Sequence, residues 1–125
     1  MFFTRPAGHK FVDRGDPVDV DFDKNDLTTD NTWNELDLSS IVPISAVSVI
    51  FHVVAKQATF GNVIMFRKKG NTNDTNLGAL YVQVAAVYVS TEVTIPLAGD
   101  AIIEYNASDV VWDTLNINIR AWFRP

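Results

Sequence analysis

The sequence predicts an all-β protein, built as an antiparallel β-sandwich of eight or nine strands with a jelly-roll-like arrangement. Residue types that favour strands dominate: 16 Val, 9 Ile and 10 Thr stand against 7 Leu, 5 Lys, 3 Glu and 2 Gln. No segment repeats apolar residues at the spacing of an amphipathic helix. An immunoglobulin-like sandwich or a small closed barrel is also compatible with these observations. The strand count, the long connections and the absence of a Cys–Trp–Cys pattern favour the jelly roll.

The first half of the chain contains four predicted strands. Apolar residues alternate with aspartates over residues 18–22, which predicts a half-buried strand with an acidic outer face. A second strand lies at residues 33–38, where the apolar spacing slips by one residue. Residues 46–55 are apolar on both faces, which is typical of a central strand covered on both sides. Residues 63–68 form the fourth strand.

The second half begins with a predicted loop at residues 68–76, which are polar and rich in Asn. Residues 80–89 are then predicted to form one long strand, and residues 92–97 a short one. After a turn, residues 101–105 form the next strand. A second turn, rich in Asn and Asp, separates it from the last strand.

The C-terminal strand shows the clearest alternation in the chain. One set of alternate side chains is apolar and predicts a core-facing side. The other set is polar except for Trp122, which the pattern therefore places on the polar outer face. The core-facing set is Leu115, Ile117, Ile119, Ala121 and Phe123.

Length and composition limit the function classes. The 125 residues predict one folded domain at residues 17–125, preceded by an extended N-terminal arm at residues 1–16. The net charge of −5 argues against nucleic-acid binding through phosphate contacts. The absence of cysteine excludes disulfides and thiolate metal sites. Residues 41–55, the most apolar stretch, fall short of the roughly 20 residues of a membrane span, so we expect no membrane insertion.

Four aspartates form a weak candidate calcium site. Asp19, Asp21, Asp23 and Asp30 have the oxygen-ligand spacing of a calcium-binding loop. However, Lys24 occupies the position where such a loop needs glycine, and no flanking helices are predicted. The outer face of a strand is the preferred interpretation, and we expect neither a metal nor another cofactor.

No catalytic arrangement is recognisable in the sequence. His52 follows Ser48 in an apolar segment, but neither a nucleophile elbow nor an oriented triad is present. The few glutamates are interpreted as surface charge rather than as paired glycosidase acids. The sequence therefore predicts a protein that is not an enzyme.

Aromatic residues are the better candidates for binding. We expect Trp112, Trp122 and Tyr105 to lie in a subunit interface, where large aromatic side chains are enriched. Core packing is the alternative interpretation for each of them.

A sugar-binding site is the second possibility. The ring of Trp33 can stack on a sugar face, and the side chains of Asn71, Asn73 and Asn76 can hydrogen-bond to hydroxyl groups. This hypothesis requires the tryptophan and the asparagine-rich loop to lie close together.

Three blocks of the sequence carry a family resemblance: DLTTDNTWNELDLSSIVP at residues 26–43, FRKKGN at 66–71, and IEY at 103–105 followed by INIRAWF at 117–123. From about residue 11 onward the chain resembles short β-sandwich structural proteins of tailed bacteriophages and prophages. The resemblance implies a virion component of the decoration, spike, tail-tip or fibre-head type. Many such proteins are trimers and some contact host-surface glycans. It implies no catalytic residue.

The residues and the resemblance together predict a non-enzymatic virion structural protein. We expect it to be made in the host bacterial cytoplasm and to self-associate as a homo-oligomer, namely a trimer. We also expect it to be exposed on a phage particle, where it contacts other virion proteins. The alternative is a carbohydrate-binding or receptor-binding module that recognises host glycans.

Overall fold

The computed structural model describes residues 8–125, and in that range the chain forms eight β-strands and no helix. The all-β prediction is therefore confirmed. The strands are β1 (Lys10–Asp13), β2 (Asn34–Asp37), β3 (Ser48–Lys56), β4 (Val63–Lys68), β5 (Gly78–Tyr81), β6 (Val89–Pro96), β7 (Ile102–Ala107) and β8 (Thr114–Arg124).

The strands form two four-stranded sheets, in the orders β1-β8-β3-β6 and β2-β7-β4-β5. Every pair is antiparallel. Consecutive strands alternate between the two sheets except for the β4–β5 hairpin. This is the strand order of a double-sheet jelly roll, which confirms the predicted architecture.

The core lies between the two sheets. In β3, the side chains of Val49, Phe51 and Val53 are fully buried, while the residues between them are half-buried. Phe51 packs edge-on against Phe66 of the other sheet, with ring centroids 4.8 Å apart. The prediction that both faces of this strand are covered is wrong, because a two-layer sandwich buries only one face of each sheet.

A β-bulge interrupts the pairing of β8 with β3. Phe51 pairs with Ile119, and Ile50 pairs with Ala121, so Arg120 has no partner on β3. An extra residue on one strand inverts the faces of all residues beyond it. Ala121 is consequently buried outside the core cluster, although the alternation predicts a core position.

The same bulge corrects the prediction for Trp122. This residue is opposite Val49 and packs against the core instead of lying on the polar outer face. The alternation from Leu115 to Ile119 is confirmed, because these residues precede the bulge and face the core. A one-residue register shift is not visible in a local pattern.

Residues 18–22 do not form the predicted strand. Of this segment only Phe22 pairs, through an isolated bridge to Ile117, and Val18 is exposed. The chain leaves the sheet after Arg14, whose guanidinium forms an ion pair with Asp21 where the chain returns. A side-chain pair thus replaces the backbone pairing that the alternation predicts.

The long strand predicted at residues 80–89 is also wrong. β5 ends at Tyr81 and β6 begins at Val89. Between them, Ala86 adopts a positive φ of 59°, and its amide donates to the carbonyl of Gln57 at 2.8 Å. The loop therefore folds onto the β3–β4 connection instead of extending a sheet.

The predicted N-terminal arm falls partly outside the described residues, because residues 1–7 are not among them. Residues 10–13 form β1 and pair with the C-terminal end of β8. The boundary at residue 16 stays a prediction.

Candidate functional site

Three connections meet at one end of the sandwich: β3–β4, β5–β6 and β7–β8. The amide of Gly61 donates to the carbonyl of Val82 at 2.8 Å, which joins the first two connections. The side-chain amide of Gln57 donates to the carbonyl of Val111, which joins the third. These bonds between loops make this end of the molecule one surface.

Large apolar side chains are exposed across this surface. Residues 57–62 and 82–89 contain no charged residue. Phe60 is 75% exposed and Val111 is 85% exposed. We define the apolar loop end by the exposed residues Phe60, Tyr81, Val84, Val87, Tyr88 and Val111.

The shape of the apolar loop end depends on Gln57. This side chain is buried, and its carbonyl oxygen accepts a hydrogen bond from the amide of Thr59 at 3.1 Å. Nearby, the Lys56 ammonium lies 4.9 Å from the centre of the Tyr88 ring. This cation–π contact orients one of the exposed aromatic rings.

Two of the three predicted interface aromatics are buried in the core. Trp112 is 2% exposed, and its indole N–H donates to the carbonyl of Ser108 at 3.1 Å. Tyr105 is 3% exposed, and its hydroxyl oxygen accepts from the amide of Thr28 at 2.7 Å. Neither side chain presents surface to a partner in this protomer, so the alternative of core packing describes both. Trp122 is half-buried.

The sequence does not predict the apolar loop end, because the apolar composition of residues 80–89 indicates a strand. The signal that was available is the complete lack of charge in residues 82–89. Residue type alone does not separate interface positions from core positions, because aromatic side chains are large components of both.

The structure separates the two parts of the predicted sugar site. Asn71, Asn73 and Asn76 line one polar concavity of about 280 Å³ together with Gly70. Trp33 is not among the residues that line this concavity. The structure therefore does not bring the tryptophan and the asparagines into one concavity.

Trp33 has a different neighbour. The Arg67 guanidinium lies 3.9 Å from the centre of the Trp33 ring. Arg67 also donates to the carboxylate of Glu104 at 2.6 Å. The arginine thus covers one of the two faces of the indole ring on which a sugar could stack.

The four candidate calcium ligands have other partners or lie apart. The Asp21 carboxylate pairs with Arg14. The Asp30 carboxylate accepts bonds from the Thr32 hydroxyl and the Asn34 amide, which lower the pKa of Asp30. Asp19 and Asp23 do not belong to a metal site either. Within residues 8–125, His, Asp and Glu side chains form no cluster of three that could hold a metal.

The pair Ser48 and His52 also fails as a catalytic arrangement. The two residues lie four positions apart on β3, a separation of about 13 Å in an extended strand. A nucleophile and its base must be within hydrogen-bond reach of each other. The absence of an enzyme activity itself stays a prediction.

The chain matches no protein-family model and none of the curated proteins with which it was compared. In the part of the chain that the structure describes, no helix has the length and apolar character needed to cross a membrane.

Proposed function

We propose that this protein is a non-enzymatic structural component of a phage particle, a capsid decoration, spike or tail-tip module that self-associates. The observation that carries the proposal is the apolar loop end. Exposed apolar side chains that are grouped at one end of a protein, rather than scattered singly, mark sites of association. Removing this surface from water between copies is favourable by roughly 25 cal/mol for each Å² of apolar area, before the entropy cost of association is subtracted.

The charge distribution favours a second copy of the same chain as the occupant. Each copy has a net charge of −5, so copies repel one another over most of their surface. This repulsion is weaker at the apolar loop end, since two of its three loops contain no charged residue and the third contains only Asp109 and Asp113. Its composition, with Phe60, Tyr81 and Tyr88, is also typical of interface cores, which are poor in charge and rich in aromatics.

The assignment to a phage particle is supported, in addition, by the fold and by the sequence resemblance. Double-sheet jelly rolls occur in viral capsid proteins and in lectins. A fold by itself does not define a function. The resemblance of residues 26–43 and 117–123 to phage structural proteins supports the assignment to a virion. An apolar surface at one end of the sandwich is compatible with copies arranged around a closed three-fold axis.

Light scattering after size exclusion tests self-association. We expect a trimer of the 13.9 kDa chain, with a mass of about 42 kDa. The variant Phe60→Asp places a charge in the interface and is expected to return the mass to that of one chain. Ile44→Asp is the matched control, because Ile44 is also exposed but lies in the β2–β3 connection at the opposite end.

A monomeric mass for the natural chain at all concentrations would contradict self-association. Equal effects of the two variants would contradict the assignment to the apolar loop end. Membership of the virion is tested separately, by probing particles purified from the producing culture with an antibody against this chain. Particles that lack the chain would refute that part of the proposal.

A further inference from the structure

A cleft lies on the outer face of the β1-β8-β3-β6 sheet, away from the apolar loop end. It consists of two adjoining hollows of about 250 Å³ and 140 Å³, which both contact Asp13 and Arg120. We call the two hollows together the outer cleft. It has no role in the self-association proposed above.

The β-bulge directs Arg120 into the outer cleft. Arg120 is the unpaired extra residue on β8, and its guanidinium donates to the Glu92 carboxylate at 2.6 Å. Glu92 lies on β6, so this ion pair crosses over β3. Bulges commonly re-aim a side chain beside a functional site.

One wall of the outer cleft is held in place before any ligand binds. Gly15 and Pro17 form this wall, within the excursion that the Arg14–Asp21 ion pair closes. The excursion is fastened to β8 as well, because the Asn118 side-chain amide donates to the carbonyl of Asp19 at 3.1 Å. A preformed wall reduces the entropy lost when a ligand binds.

Polar and apolar groups converge in the outer cleft. Among residues 8–125, no group donates a hydrogen bond to the carboxylate of Asp13. Phe11 is 57% exposed, and its ring is fixed edge-on against Phe123 with centroids 5.6 Å apart. Ile50 and Ala121 add further apolar lining to the smaller hollow.

We propose that the outer cleft binds a neutral hexopyranose unit of a glycan. The Asp13 carboxylate accepts hydrogen bonds from sugar hydroxyls, and the free N–H groups of Arg120 donate to them. The apolar face of the sugar ring packs on the side chains of Phe11, Ile50 and Ala121. Anionic ligands are disfavoured, because Glu92 neutralises Arg120 while Asp13 adds negative charge.

The size of the outer cleft sets the expected affinity. The outer cleft is divided into two hollows, and neither alone reaches the roughly 300–1,000 Å³ of pockets that enclose a ligand. The sugar therefore keeps one face in water, and we expect a dissociation constant in the millimolar range for a monosaccharide.

An NMR titration of the ¹⁵N-labelled full chain tests this proposal. The probes are the methyl glycosides of glucose, galactose, mannose and N-acetylglucosamine, with inorganic phosphate as the anionic comparison. We expect saturable shifts of the amides of Asp13, Arg120 and Ala121 with at least one glycoside, and none with phosphate. Asp13→Ala should weaken that binding by about tenfold or more, since a hydrogen bond to a charged group is lost.

The matched control is Asp74→Ala, which removes an exposed aspartate from the β4–β5 loop and should leave the titration unchanged. The amide spectrum of each variant shows whether the fold is intact. No saturable shift with any of the four glycosides, shifts centred on residues 71–76, or shifts with phosphate alone would each overturn the proposal.

Discussion

Gly78 provides a sharp test of the packing between the two sheets. It lies on β5, and a Cβ atom added there would be 2.3 Å from Cγ1 of Val93 on β6. Carbon atoms in ordinary contact are about 3.5–4.0 Å apart, so one side chain must move by more than about 1 Å. Val93 is buried and β-branched, which leaves its side chain little freedom to rotate away. Gly78→Ala should therefore destabilise the fold.

The magnitude follows from two opposing effects. Overpacking a core costs about 1–3 kcal/mol. Replacing a strand glycine by alanine recovers about 0.5–1 kcal/mol, because the unfolded chain loses less conformational freedom on folding. We expect a net loss of about 1–2 kcal/mol in the free energy of unfolding, which corresponds to a Tm lower by roughly 3–10 °C for a domain of this size.

Urea denaturation followed by tryptophan fluorescence measures this loss, and a double-mutant cycle identifies its cause. Val93→Ala removes Cγ1, the methyl group that the added Cβ atom would strike. The double variant should therefore be more stable than the sum of the single losses by about 1–2 kcal/mol. Gly8→Ala is the control, since nothing lies within 4 Å of the added atom, and should change stability by less than about 0.5 kcal/mol. A Gly78→Ala variant as stable as the natural chain, or fully additive losses, would refute the reasoning.

Two further predictions concern polar contacts. Gln57→Leu leaves the carbonyl of Val111 without its donor, and it should lower the free energy of unfolding, measured by urea denaturation, by about 1–3 kcal/mol. The control Gln83→Leu, in the exposed β5–β6 loop, should be near neutral. Equal losses in the two variants would contradict the role of Gln57. The Lys69 ammonium, hydrogen-bonded to the Asp100 carboxylate, holds the pKa of Asp100 below its ordinary value of 3.8. The ionised carboxylate therefore stabilises the fold above pH 3.8, and this contribution is lost as the pH falls through the folded pKa. Thermal melts should show Asp100→Asn less stable than the natural chain near neutral pH, with a difference that shrinks in strong acid; a difference independent of pH would speak against the ion pair.

The candidate sites were harder to predict than the fold. Trp112 and Tyr105 have the residue type of interface anchors, yet the core takes up both, because a large aromatic ring fills a core as well as an interface. The sequence does not indicate a binding role for Phe60, because a single apolar residue in a loop does not by itself predict a binding surface. It gains importance only where its loop meets those of Val84 and Val111.

The amino-acid sequence alone determined the strand class, the loop after β4 and the core-facing side of residues 115–119. Each of these follows from the type and spacing of neighbouring residues, and local alternation is a direct consequence of the two-residue period of a strand. Local information was sufficient for these three features.

Only the tertiary structure decided the bulge at Arg120, the excursion closed by Arg14 and Asp21, and the turn at Ala86. In each case a contact with a segment distant in sequence overrides the alternation: β3 opposite the bulge, β8 beside the excursion, and Gln57 beneath the turn. Both proposed binding surfaces lie at these places, because a residue that leaves the regular pairing is free to present its side chain to another molecule.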